Sequence, residues 1–185
     1  VRPHDYLTWF LEVSPAIIGL AVLAATYWSF RLTNLLYFFI LLHAVVLIVG
    51  GHYTYAEVPV GVWLDQMLHL GRNHFDRIVH FSFGFFLAYP MEELFRLSTS
   101  ISGWVVYYLP VMTVLGLSGL WEIIESWVAT AVHPEQGIAY LGSQGDIWDA
   151  QKDMAAALYG ALLCVTILLV VRALRGARAV LQAEV

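Results

Sequence analysis

The chain has 185 residues, 60% of them hydrophobic and only 12% charged, where a soluble domain of this size carries about 25% charged residues. With a mean hydropathy of +0.72 and apolar runs long enough for membrane helices, this excludes a soluble globular domain and a barrel of short strands. A net charge of −5 with no basic block argues against nucleic acid as a partner. The length fits one transmembrane helical domain over residues 1–185.

The first apolar run covers about 13–30. It lacks a basic segment followed by a small-residue cleavage site, so it reads as a retained span rather than a signal peptide. Arg31-Leu-Thr-Asn34 is a tight turn, and the second span covers about 35–51, ending in Gly50-Gly51. Over 61–71, Trp63, Leu64, Met67 and Leu68 recur at helical spacing with Asp65, Gln66 and His69 between them. That segment is too short to cross and predicts a helix lying along the membrane surface. The third span covers about 75–97, bent at its far end by Pro90, and the fourth about 104–132, with Pro110 in its first turns and His133-Pro134 as its stop. The segment 135–145 carries three glycines and no lysine or arginine, and reads as a loop. The fifth span covers about 147–172, followed by a tail with Arg175 and Arg178. The fold class is therefore all-α integral membrane, a polytopic bundle of about five transmembrane helices with a short interfacial helix between spans two and three.

Fifteen per cent of the residues are aromatic, many near the ends of the apolar runs, as belts at the water interfaces require. The single cysteine, Cys164, lies inside an apolar run and reads as a small buried side chain, with no disulfide framework. Arginine placement orients the bundle: Arg31, Arg96 and the C-terminal tail fall on one side, the cytoplasm, with the N-terminus outside. Arg72 and Arg77 depart from that rule.

On this topology the ends of spans two and four meet the starts of spans three and five at the outer face. Asn73, Asp76, Arg77 and His80 open span three on one helical face. Ser118, Glu122 and Glu125 share a face late in span four, and Asp149 and Asp153 begin a stripe that continues in Ala156, Ala157 and Gly160, small enough for close helix contact. His52, Tyr53 and Glu57 leave span two at the same level. A charged residue costs roughly 2.5–3.5 kcal/mol at mid-helix, so Asp76, Glu122, Glu125, Asp149 and Asp153 cannot all stand as unpaired anions. Arg72, Arg77 and Lys152 offset part of that charge, and the excess calls for a cation or for protons.

Simpler readings account for several residues. Asp146 fits the N-cap of span five with Asp149 in its first turn, but Asp153 lies a turn deeper. Glu92 and Arg96 form an i, i+4 pair and, with Glu93, read as structural or interfacial. His43 reads as a satisfied interior histidine. His4, His69, His74 and His133 read as solvated, as do Asp5 and Glu12 at the start of span one.

Three stretches resemble a known family: Gly50-Gly-His-Tyr-Thr-Tyr-Ala-Glu57-Val-Pro, Arg72-Asn-His-Phe-Asp-Arg77-Ile-Val-His80-Phe and Leu141-Gly-Ser-Gln-Gly-Asp-Ile-Trp-Asp-Ala-Gln-Lys-Asp153-Met. They resemble the YjdF family of uncharacterised bacterial inner-membrane proteins over nearly the whole chain. The resemblance implies a multi-pass protein of the inner membrane and no particular activity. A looser similarity is to VanZ-like proteins, linked to glycopeptide-antibiotic resistance. It is carried by Asp76, His80 and Phe81, then Glu122, then Asp149, Asp153 and Gly160, with Glu125 where that pattern has glutamine.

Carboxylates with one or two imidazoles suit a divalent ion such as zinc, manganese, iron or magnesium. The expectation is a metal held by His80, Glu122, Glu125 and Asp153, with Asp149, Asn73, Arg77 and Lys152 orienting or balancing the ligands. Glu57 and His52 are candidates for general acid or base, and Asp76 serves that step or orients a ligand. The substrate would be a lipid-linked envelope molecule, open to hydrolysis or transfer. The alternative is a non-catalytic protein that binds a cation, a proton or another ligand in the same pocket, for transport or envelope resistance. A third is purely structural, the polar cluster fixing helix register.

Overall fold

A computed structural model describes the backbone of residues 2–183 and the side chains of 2–138 and 140–177, so the Arg178 side chain of the basic tail lies outside the described residues. The described residues form seven helices: α1 Tyr6–Thr26, α2 Asn34–Tyr53, α3 Pro59–Leu68, α4 Phe75–Ser98, α5 Val105–Ala131, α6 Pro134–Leu141 and α7 Asp149–Ala183. Of these, α1, α2, α5 and the Asp149–Ala177 part of α7 are long and apolar enough to cross a membrane. The 24-residue α4 has the length, about 36 Å, but carries Asp76, Arg77, Glu92, Glu93 and Arg96. Packing resolves the conflict. Helix α4 sits at the centre, against α7, α2 and α5, and buries His80, Ser82 and Glu92 against protein. Neighbouring helices rather than lipid solvate its polar groups.

Close contact between α4 and α7 rests on two reciprocal glycines. Gly84 lies against the backbone at Ala157 and Ala161, and Gly160 against the backbone at Phe81 and Phe85. Ala157 and Ala161 are fully buried. Most of the expected small-residue stripe thus forms the seam, which packs Ala88, Val111, Val114 and Cys164 into one core. In mid-bundle, His43 Nδ1 pairs with Ser82 Oγ at 2.9 Å, as expected of an interior histidine. At the end where α4 finishes, Glu92 is fully buried and takes Arg172 Nη1 at 2.9 Å and Nη2 at 3.0 Å, besides Arg96 Nε at 3.0 Å. Tyr107 Oη lies 2.8 Å from Arg172 Nη1, so this cluster locks α4, α5 and α7 together.

Several expectations change. The first helix begins at Tyr6 rather than 13, because Asp5 caps it by accepting from Thr8 N at 2.7 Å. Glu12, expected in solvent, is therefore nearly two turns inside and 1% exposed. The interfacial helix starts at Pro59, which occupies its first turn, and stops at His69 in the left-handed region (φ 52°). The expected loop 135–145 contains α6, opened by Pro134 and closed by Gly142 at φ 60°. Its Gly137 does not act as a helix breaker: a Cβ there would come within 2.5 Å of Ala129 O, so the missing side chain lets α6 press onto α5.

Candidate functional site

Polar side chains gather where α4 and α7 begin, in two layers. The outer layer is an ion-pair network. Arg72, in the turn before α4, places Nη1 2.6 Å from Asp149 Oδ1 and 3.4 Å from Asp146 Oδ2, and donates to Ser143 O at 3.0 Å. Arg77, in the first turn of α4, places Nη2 2.6 Å from Asp146 Oδ2 and 3.1 Å from Asp149 Oδ1. Lys152 Nζ adds contacts of 2.7 and 3.0 Å to the two oxygens of Asp146. Asp146 also accepts from Trp148 N at 3.1 Å, so it caps the turn into α7 and joins three cations at once. Hydrogen bonds from Lys152 and Arg77 hold its carboxyl below the usual carboxylate range. His74 is not solvated as expected: its Nδ1 lies 3.1 Å from Arg77 Nη1. Burial, with Arg77 and Arg72 nearby, holds its ring below the ordinary histidine range.

Asn73 ties this layer to the rest. Its N–H donates to Gln144 Oε1 at 3.0 Å while Gln144 Nε2 donates back to Asn73 O at 2.9 Å. Its own Nδ2 donates to Ala56 O at 2.9 Å and Val58 O at 3.1 Å. Asn73 therefore positions backbone: it fastens the segment after α2 to the turn before α7.

Beneath lies a second layer with few cations. His80 Nδ1 meets Ser118 Oγ at 3.1 Å, and its Nε2 faces Glu122 Oε1 at 3.3 Å and Asp76 Oδ1 at 3.7 Å. Ligand atoms of Asp76, His80 and Asp153 all lie within 4.8 Å of one another. Asp153, four residues into α7 and so about 6 Å along its axis, is 1% exposed. Arg77 Nε approaches its Oδ1 at 3.7 Å, too far for a hydrogen bond, and Glu122 Oε1 and Asp153 Oδ1 have no hydrogen-bond partner. Buried acceptors without donors are costly. If Ser118 accepts the Nδ1 proton, Nε2 presents a lone pair to two carboxylates, the arrangement of a histidine ligand oriented by its second nitrogen.

The same layer extends to α1, α5 and α6. Glu12 of α1 is 1% exposed and Glu125 of α5 6%, and both lie within electrostatic reach of Asp76 and Glu122. Tyr140 of α6 is 4% exposed, and its hydroxyl has no partner. Burial and the neighbouring Glu12, Glu125, Glu122 and Asp76 push that phenol upward.

The chain is similar to known membrane proteins over most of its length. Residues 1–174 match the family described as "Predicted membrane protein (DUF2238)". This chain belongs to that family. DUF2238 membership is joined by similarity to the inner membrane protein YjdF of Escherichia coli (strain K12), 44% identical over 170 residues, which covers 91% of this chain and 80% of that protein. No solved structure matches. The three stretches that carried the YjdF resemblance fall, in this DUF2238 chain, at the close of α2, the opening of α4 and the opening of α7. The second and third build the two layers.

Of the residues expected to form the site, Asp76, His80, Glu122, Glu125 and Asp153 come together in the deep layer, and Arg77, Asp149 and Lys152 in the outer one. Glu57 and His52 take other surroundings. Glu57 is exposed and pairs with His4 Nδ1 at 2.9 Å, and the His52 ring packs edge-on to Tyr53 at 4.6 Å. Sequence reasoning missed Glu12 and Tyr140. The available signal for Glu12 was that it is the sole charged residue of a 21-residue apolar helix, with Thr8 one turn before it and Gly51 of α2 packed on its Cβ.

Proposed function

We propose that this DUF2238 protein is a metal-dependent hydrolase or transferase of the bacterial inner membrane, acting on a lipid-linked envelope substrate. One observation carries the reading: the convergence of Asp76, His80 and Asp153 within 4.8 Å, beside an unpartnered Glu122 oxygen. These donors suit a zinc, manganese, iron or magnesium ion. Bound there, the ion would acidify a coordinated water. Glu122, in place of Glu57 or His52, would be the residue that holds or gives up a proton at its Oε1 in hydrolysis or transfer of an ester or phosphoester. An apolar cleft of about 510 Å³ between α5 and α6, lined by Ala129, Val132, Ile138 and Leu141 among others, supports a lipid-linked substrate. Arg31, Arg96, Arg172 and Arg175 at the opposite end support a cytoplasmic C-terminus, with the acidic end facing outward.

The test is elemental analysis of protein purified in detergent without chelator. The wild type should carry a divalent ion that is lost in His80→Ala and Asp153→Asn, together with any metal-dependent turnover of an inner-membrane lipid extract. A folded wild type that contains no metal, and whose melting does not respond to added zinc, manganese, iron or magnesium, overturns the reading.

A second reading rests on the ion-pair layer. Arg72, Arg77, Asp146 and Asp149 close over the deep carboxylates, and that favours a small cation or proton over a bulky headgroup. A binding or permeation protein would then show cation or proton binding without turnover, and Glu125→Gln would keep function in a fixed protonation state. Turnover that disappears with the metal eliminates this alternative.

A further inference from the structure

We propose that the end of the bundle opposite the carboxylates binds one anionic phospholipid, with its phosphate at Arg31 and one acyl chain in a cleft between α1, α2 and α4. The site is independent of the metal reading. The cleft has a volume of about 250 Å³, and Leu23 of α1, Ile40 of α2 and Pro90, Met91 and Leu94 of α4 supply apolar wall. Its one polar wall residue, Thr26, donates its hydroxyl to Val22 O at 2.7 Å. No wall side chain therefore offers water a free donor, and such a space takes hydrocarbon rather than water.

Charge selects the headgroup. Phe30 and Leu32 both line the cleft, so Arg31 between them stands at its mouth. Residues 13–56 contain no aspartate, glutamate or lysine and no other arginine. Among the described residues Arg31 forms no salt bridge. Instead its Nη2 donates to Tyr27 Oη at 2.5 Å. Its guanidinium carbon lies 4.6 Å from the Tyr27 ring centroid and 5.9 Å from that of Trp28. These contacts hold the side chain in place and leave its other N–H groups for a phosphate. Trp28, 85% exposed, marks the level of the headgroups. At this end the described side chains of Arg31, Arg96, Arg172 and Arg175 face only Glu92 and Glu93, a surplus of two positive charges. Arg96 and Arg172 are committed to Glu92, which leaves Arg31 as the arginine beside the cleft that an anionic headgroup can pair. A zwitterionic headgroup would leave the surplus in place, and an anionic one lowers it.

The experiment exposes delipidated, detergent-solubilised protein to equal amounts of phosphatidylglycerol and phosphatidylcholine with the same acyl chains, and counts retained lipids by native mass spectrometry. Wild type should retain one phosphatidylglycerol per chain, favoured by about fivefold, the factor for one arginine at an anionic surface. Arg31→Gln should erase that preference, whereas Arg175→Gln, at the same end but outside the cleft, should keep it. Leu23→Phe, which narrows the cleft, should retain less phosphatidylglycerol than wild type. Glycerol phosphate, the headgroup without its chains, should not displace the lipid. Equal retention of the two lipids by wild type, a preference that survives Arg31→Gln, or one lost equally in Arg175→Gln overturns the assignment of the headgroup to Arg31. Displacement by glycerol phosphate, or full retention in a folded Leu23→Phe, overturns the placement of the chain. Should Leu23→Phe fail to fold, the competition with glycerol phosphate decides the cleft.

Discussion

Adding a single methyl group to the seam between α4 and α7 should loosen both the bundle and the site it carries. A Cβ on Gly84 would lie 2.8 Å from Ala161 N and 2.9 Å from Ala157 C, and one on Gly160 would lie 2.8 Å from Phe85 N and 3.1 Å from Phe81 C. Non-bonded carbons rest at about 3.5–4.0 Å, so each methyl demands a helix separation on the order of 1 Å. The obstacles are backbone atoms, which cannot rotate away as a side chain would. Overpacking of this kind costs about 1–3 kcal/mol, and melting falls by about 2–4 °C per kcal/mol in a chain of this size. Gly84→Ala and Gly160→Ala should thus each melt roughly 5 °C lower than wild type. The double variant should lose less than the sum, because one separation relieves both clashes. Asp76 and His80 ride on α4 and Asp153 on α7, so on the proposed metal reading the same shift spreads these three side chains and should weaken divalent-ion uptake. Cys164 is the only cysteine and is buried beside this seam, so a thiol-reactive fluorogenic dye reads the melt where it begins. Gly19→Ala and Gly116→Ala serve as controls, since a Cβ at either meets nothing within 4 Å. If Gly84→Ala and Gly160→Ala melt together with wild type and the controls, the seam argument is wrong.

At the opposite end, Glu92→Ala leaves Arg96 and Arg172 without their shared carboxylate. Breaking a fully buried pair costs about 3–5 kcal/mol. Here the guanidiniums are 46% and 33% exposed, so solvent screening lowers the expected loss to about 2 kcal/mol. Adding Arg172→Met should recover part of it, and a thermal melt of Glu92→Ala indistinguishable from wild type would show that the cluster contributes nothing. Acidification tests the outer layer. The Asp146 carboxyl is held below its unfolded value, so its contribution is fully present above the ordinary aspartate range and disappears as pH falls through the depressed folded value. Melting temperature recorded from about pH 7 down to about pH 3 should decline less steeply in Asp146→Asn than in wild type, and parallel curves would remove Asp146 as a contributor.

Hydropathy was enough to read α1, α2, α5 and α7 from the chain, because transfer of a segment from water to lipid depends on that segment's own residues. Asp153 was readable too, since an aspartate one turn inside an apolar helix is anomalous whatever surrounds it. Asp146 was only half readable: its capping role follows from local order, but its contacts with Arg72 and Arg77 span 74 and 69 residues. Glu12 looked solvated because nothing nearby in sequence compensates it; the groups within its electrostatic reach, Asp76, Glu122 and Tyr140, come from α4, α5 and α6. Glu57 and His52 erred the other way, close in sequence to the right level yet engaged elsewhere, Glu57 exposed beside His4 and His52 half-buried against Tyr53. Arg172 finds Glu92 from 80 residues away. Solvation by lipid or water belongs to one segment at a time, whereas ion pairing and the approach of two backbones belong to pairs of segments. Only the packed bundle, with α4 drawn to its centre by Gly84 and Gly160, decides which carboxylates share a site.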